Sequence, residues 1–157
     1  MADSQRLAML KGLQTSLRAI RVADGYHYTI RPTSVVLDRR DLATIPPTEL
    51  PFFCVFSPTP GDRGKIASKL VKEVVTVNLY GRVDANGTAE DRKTTAVENL
   101  IADIEKALVA NLNLGGVAID VWMRSPEESS IALGNDNAIG LTVPVEVRLQ
   151  QRPYGAP

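Results

Sequence analysis

Few side chains in this sequence are equipped for covalent or metal chemistry. There is one histidine, His27, and one cysteine, Cys54, among 157 residues. A thiol activated by an imidazole is the nucleophilic pair these two types supply. Cys54 sits between Phe53 and Val55 in an apolar run, a setting in which cysteine behaves as a small hydrophobe. His27 alternates with Tyr26 and Tyr28, which puts it on the wet side of a strand, without the positioned partner that acid–base catalysis needs. One His and one Cys also fall short of the soft-ligand set of a zinc site.

The glycine-containing stretches read as turns. Gly61–Lys65 (GDRGK) lacks the spacing of a phosphate-binding P-loop, and Ile66 stands where that loop needs Ser or Thr. Gly115-Gly116 follows a helical pattern rather than a strand and lacks the dinucleotide-binding spacing. Carboxylates are plentiful: Asp84, Glu90, Asp91, Asp103, Glu127, Glu128 and Asp136. The adjacent Glu127 and Glu128 read as a solvated pair. Asn135-Asp136-Asn137 offers oxygen ligands of the kind calcium takes, but the D-x-[DN]-x-[DN]-G loop is absent. The sequence therefore predicts no catalytic residue, no cofactor and no metal ligand.

The elements that would carry these residues follow from hydrophobic spacing. Residues 4–22 read as a helix with Leu7, Leu10, Leu13, Leu17 and Ile20 on one stripe, capped by Asp3 or Ser4 and ended at Asp24-Gly25. Its polar face is mildly basic, but the stripe lacks the Trp or Phe of a membrane-surface helix. Tyr26–Asp38 alternates as a strand bent at Pro32, and Arg39–Leu50 is a loop broken by Pro46-Pro47. Pro51–Ser57 reads as a buried strand, Pro58–Lys65 as a loop and Leu70–Val83 as the longest strand. Asp84–Ala89 reads as a turn. Glu90–Asn111 forms the second helix, with Val97, Leu100, Ile101, Ile104 and Leu108 on its apolar face. Val117–Met123 is a further strand, Arg124–Asn137 a mobile or binding segment, and Leu141–Leu149 a last alternating strand carrying Pro144.

Strands arriving in runs between two helices imply an α+β fold. We expect a mostly antiparallel sheet of about five strands, with both helices packed on one face. Residues 1–157 are expected to form a single domain, with 1–3 and 152–157 as flexible ends. A chain of 17.0 kDa hides about 69% of its surface on folding, enough for a core without staples.

Net charge is zero, with 18 basic and 18 acidic residues, which argues against a general nucleic-acid binder. The charge is uneven: residues 1–40 carry seven Lys/Arg and three Asp/Glu, a net of +4, so the remainder nets −4. A single cysteine excludes an internal disulfide, which suits folding in a reducing cytosol. Leu7–Ile20 is interrupted by Lys11, Gln14 and Arg18, so it does not read as a secretory signal. Nor is there an apolar run long enough to span a membrane.

The order and texture of the elements resemble the tail-terminator, or tail-completion, proteins of long-tailed bacteriophages. Four stretches carry the resemblance. Leu7–Ile20 (LAMLKGLQTSLRAI) runs into Tyr26–Ile30 (YHYTI). Pro51–Ser57 is followed by a Pro/Gly loop. Val71–Gly81 (VKEVVTVNLYG) leads to Glu90-Asp91 and the helix Ala96–Ala110 (AVENLIADIEKALVA). Leu114–Val121 (LGGVAIDV) precedes a polar segment and a closing strand. Together they cover residues 7–150.

This resemblance implies a virion protein made in the host bacterial cytoplasm. Its copies would form a homo-oligomeric ring, a hexamer, at the head-proximal end of the tail tube. The ring would end tube polymerisation and join the tail to head-completion or neck proteins. DNA would pass through its lumen without sequence-specific binding. No functional residue is carried over from the family. Candidate protein contacts are Asp62, Arg63 and Lys65 in the first long loop, and Glu127, Glu128, Asn135 and Asp136 in the second. A head-completion, neck or other minor tail protein is the alternative within this class. A small enzyme or ligand-binding domain is the alternative outside it.

Overall fold

The computed structural model describes residues 3–56, 62–67, 70–85, 88–129, 138–150 and 152–153. Helix α1 spans Gln5–Arg18 and α2 spans Arg92–Val109. The strands are β1 (Val35–Val36), β2 (Phe52–Phe56), β3 (Asp62–Ala67), β4 (Leu70–Asp84), β5 (Ala118–Met123), β6 (Glu127–Ser129), β7 (Ala138–Leu149) and β8 (Arg152–Pro153). The main sheet runs β1-β2-β4-β7-β5, with β3 and β8 on β4 and β6 on β7. Among the described strands only β1 and β2 pair in parallel. The α+β fold with two main helices and a largely antiparallel sheet is thus the one expected.

Alternation sorts the central strands into two faces. Val75, Val77 and Leu79 on β4 and Val143, Val145 and Val147 on β7 are fully buried beneath the helices, against Met9, Leu13, Leu17, Leu100 and Ile104. A smaller cluster of Ile45, Phe52 and Cys54 lies on the other face, joined by Val36, Leu42, Leu50 and Tyr80. The loop of residues 37–50 covers that corner of the sheet.

Helix α1 begins where Ser4 Oγ accepts the Leu7 N–H at 3.2 Å. It ends at Arg18, and Gly25 closes a separate 3₁₀ turn, Val22–Asp24, with φ 84°. The buried stripe is Met9, Leu13, Leu17 and Ile20, while Leu7 is exposed. The apolar face is therefore rotated from the stripe that the leucines suggested. Gly12 lies close to Leu114, whose Cβ would be 2.9 Å from an added Cβ.

Three further expectations are corrected. Residues 26–30 are not a strand. The main-chain N–H groups of His27 and Tyr28 go instead to the Asp103 carboxylate on α2, so no neighbouring strand receives them. Residues 62–65 are not loop but the first part of β3, antiparallel to the start of β4. Residues 127–129 form β6 on β7, within the stretch expected to lack regular structure. In addition, Arg152–Pro153, expected in a frayed end, pairs with Leu70 and Val71.

Candidate assembly surfaces

The sheet face turned away from the helices carries aromatic rings and arginines in contact. Its floor on β2 and β4 is aromatic. Phe56 and Tyr80 stack with ring centroids 5.2 Å apart. Arg39 places its guanidinium 4.8 Å from the Phe56 ring centre, and Arg40 lies 5.9 Å from that of Phe52. Between them is a cleft of about 250 Å³ lined by Arg39, Arg40, Asp41, Leu42, Cys54 and Tyr80, with Ala43 at its edge.

A buried arginine builds this cleft. Arg82 is 3% exposed, and its Nη1 donates to the carbonyls of Leu42 at 2.8 Å and Ile45 at 2.9 Å. One guanidinium thus folds residues 42–45 down onto the sheet. Asp41 accepts the Ala43 N–H at 3.0 Å and starts the 3₁₀ turn Leu42–Thr44. Cys54 forms part of the floor. Burial pushes its thiol pKa up, and the Arg40 main chain with the Arg40 and Arg39 charges works in the opposite direction.

At the far edge, β5 pairs only with β7 among the described strands. Trp122 is opposite Glu146 and Asp120 is opposite Arg148, so both point to this same outer face. Ion pairs Arg124–Glu146, at 2.6 Å, and Asp120–Arg148 tie the edge together. Trp122 remains 38% exposed and Ile119, at an irregularity in the pairing, 39%. Glu127, on the following strand, is exposed.

The candidate contact residues fall into two groups that the fold does not bring together. Asp62 pairs with Val74, Arg63 with Glu73 and Lys65 with Val71. Glu127 pairs with Thr142 and Glu128 with Leu141. Since Leu141 is opposite Gly81 and Arg148 opposite Val74, the groups are at opposite ends of the sheet, about 23 Å apart along β4. Asn135 and Asp136 lie outside the described residues.

His27 and Cys54 do not form a pair. His27 Nδ1 lies 2.9 Å from Asp103 Oδ1 on the helical side, whereas Cys54 belongs to the cluster on the opposite sheet face. Asp103 is 1% exposed and also accepts two main-chain N–H groups, so it organises the loop at 26–28. Its partners come from more than 70 positions earlier in the chain, which no local spacing reveals. A second cleft of about 370 Å³ sits by the start of α2, lined in part by Tyr28, Asp84, Asp91, Arg92 and Asn99. Among the described residues, no group of three or more His, Cys, Asp or Glu side chains is placed to hold a metal ion. No described helix is long and apolar enough to cross a membrane.

No protein-family model matches the chain, and no curated protein matches its sequence. Solved structures match it in fold. One chain of the "Virion of native gene transfer agent (GTA) particle" superposes with a TM-score of 0.55, over 94% of this chain and 98% of that one. The two are 13% identical, so the likeness is one of fold. It extends over nearly the whole length of both chains.

Proposed function

We propose that this protein is a non-enzymatic structural component of a phage-like particle. In this reading it caps the head-proximal end of the tail tube as a homo-oligomeric ring of about six copies. The observation that carries the proposal is the likeness in fold, over 94% and 98% of the two chains, to a component of a gene transfer agent virion. The order of elements supports the terminator role through its resemblance to tail-completion proteins.

A terminator must hold different partners on its two sides. The two contact groups suit that need. The end of the sheet with Asp62, Arg63 and Lys65 serves one partner, and the end that carries β6 serves a second. Tail-tube protein and head-completion proteins are these partners. Zero net charge suits a channel through which DNA slides without sticking.

The test is native mass over a concentration series, with negative-stain imaging, followed by addition of polymerising tail-tube protein. A holed species near six times 17.0 kDa, or rings at tube ends, is expected. Absence of any binding to tube ends would overturn the proposal.

A further inference from the structure

We infer that Trp122 of one copy seats in the Arg39–Arg40–Tyr80 cleft of the next, forming the head-to-tail contact of the ring. The inference rests on the assembly reading above and names its interface.

The Trp122 side offers a strand edge with no partner among the described strands and a large aromatic side chain facing out. Trp122 is the only tryptophan in the chain and is 38% exposed, and Ile119 on the same strand is 39% exposed. Tryptophan and arginine are the residue types most often found where interfaces draw their energy. The receiving side offers an apolar floor of Leu42, Cys54 and Tyr80 under two exposed guanidinium groups. Its volume of about 250 Å³ has room for one indole ring. An indole is also the aromatic face that an arginine favours most.

Geometry rules out an internal contact. Tyr80 is opposite Thr142 on β7, and Trp122 is opposite Glu146. The two residues are thus two strand spacings apart, about 10 Å, and four residues apart along the strand, about 13 Å. With β7 between them, Trp122 cannot reach the cleft of its own chain. A second copy can present it, because the cleft lies towards the β1 edge and Trp122 on the β5 edge. Two different surfaces at opposite edges make a heterologous contact, which gives a ring when its rotation closes.

Charge favours the same pairing. Asp120 and Glu146 are already matched by Arg148 and Arg124, and Asp41 holds the Ala43 N–H. Exposed Glu127 follows Trp122 on the edge side, and exposed Arg39 and Arg40 rim the cleft. More broadly, the first 40 residues net +4 and the rest −4.

The sole tryptophan makes the test direct. In wild type, Trp emission is expected to shift to the blue and lose iodide quenching in step with the rise in native mass. Trp122→Ala is expected to weaken self-association about 30-fold or more. Ala43→Tyr, at an exposed position on the cleft edge, is expected to do the same by filling the cleft. An equimolar mixture of the two variants retains one intact contact per pair, so it is expected to give a one-to-one dimer and no ring.

Variants that assemble like wild type overturn the inference, as does a mixture that forms no dimer. So do rings in which Trp122 stays open to quencher, a result that leaves the terminator role standing. Wild type that stays monomeric at about 1 mM overturns the inference as well, and tube-end binding then decides the function separately.

Discussion

The carboxylate of Asp103, in the middle of α2, accepts the main-chain N–H of Tyr28 at 2.9 Å. It also accepts the N–H of His27 and faces that residue's imidazole Nδ1. A buried acid thereby takes the place of a strand partner for the 26–28 segment. Lys106 one turn along α2 adds to the clamp, donating to the Gly25 carbonyl at 3.0 Å and covering the Tyr26 ring at 4.3 Å.

The main-chain bonds matter more than the imidazole. Asp103→Ala strips acceptors from two N–H groups and is expected to cost about 3 kcal/mol. His27→Ala removes a half-exposed partner and is expected to cost under about 1 kcal/mol. Urea unfolding of both variants checks the order, and equal losses would contradict it. Amide exchange at His27 and Tyr28 is expected to speed up in Asp103→Ala alone.

Gly81 is where β4 passes beneath Phe53. A Cβ there would sit 2.6 Å from Phe53 Cε1 and 2.9 Å from Cδ1. Gly81→Ala is expected to destabilise by about 1–3 kcal/mol through overpacking. In combination with Phe53→Leu, part of that loss should return. A double-mutant cycle that proves additive would show that the two residues do not clash.

Arg82 holds down residues 42–45 by their carbonyls. Arg82→Met keeps length but removes the donors, leaving buried acceptors unmatched at a cost of about 1–3 kcal/mol. Limited proteolysis is expected to cut first within residues 37–50. Arg82→Lys should rescue only partly, since an ammonium lacks the fork of a guanidinium. Wild-type resistance of that loop in Arg82→Met would refute this role.

Cys54 links the cleft floor to pH. Burial raises its pKa, with the Arg40 main chain and the neighbouring arginine charges opposing. A raised thiol pKa in the folded state means that the unfolded chain loses its proton first as pH climbs. Stability from this group is therefore complete below the unfolded thiol pKa and declines as pH rises towards the folded one. Urea midpoints from about pH 7 to 10 should fall more in wild type than in Cys54→Ala. Parallel curves would remove Cys54 from the account.

Much of the fold was legible because burial imposes a period. The α2 positions Val97, Leu100, Ile104 and Leu108 and the β7 positions Val143, Val145, Val147 and Leu149 are buried as their spacing indicates. Where partners are distant, the pattern misled. Tyr26, Tyr28 and Ile30 alternate like a strand, but Asp103 takes the N–H groups that a strand would share. A near partner misled as well: residues 62–65 read as a polar turn for want of apolar alternation, yet they pair with residues 71–74. Little in Arg82 marked it as buried, and the cleft it builds joins residues about 40 positions apart. Residues 62–65 and 127–129 stand out in the sequence only as polar interruptions, although both lie in strands, and Trp122 looks like one more residue in an alternating strand.

The long ladder between β4 and β7 also bears on how the molecule meets force. Eleven residue pairs, from Val74–Arg148 to Asp84–Ala138, lie side by side in unbroken register. Tension applied along these strands loads the whole ladder at once, so rupture requires many bonds to shear together. The two-pair contact of β1 with β2 has no such reserve. A pull that tears the molecule therefore begins at the β1 corner and leaves the β4–β7 ladder until last.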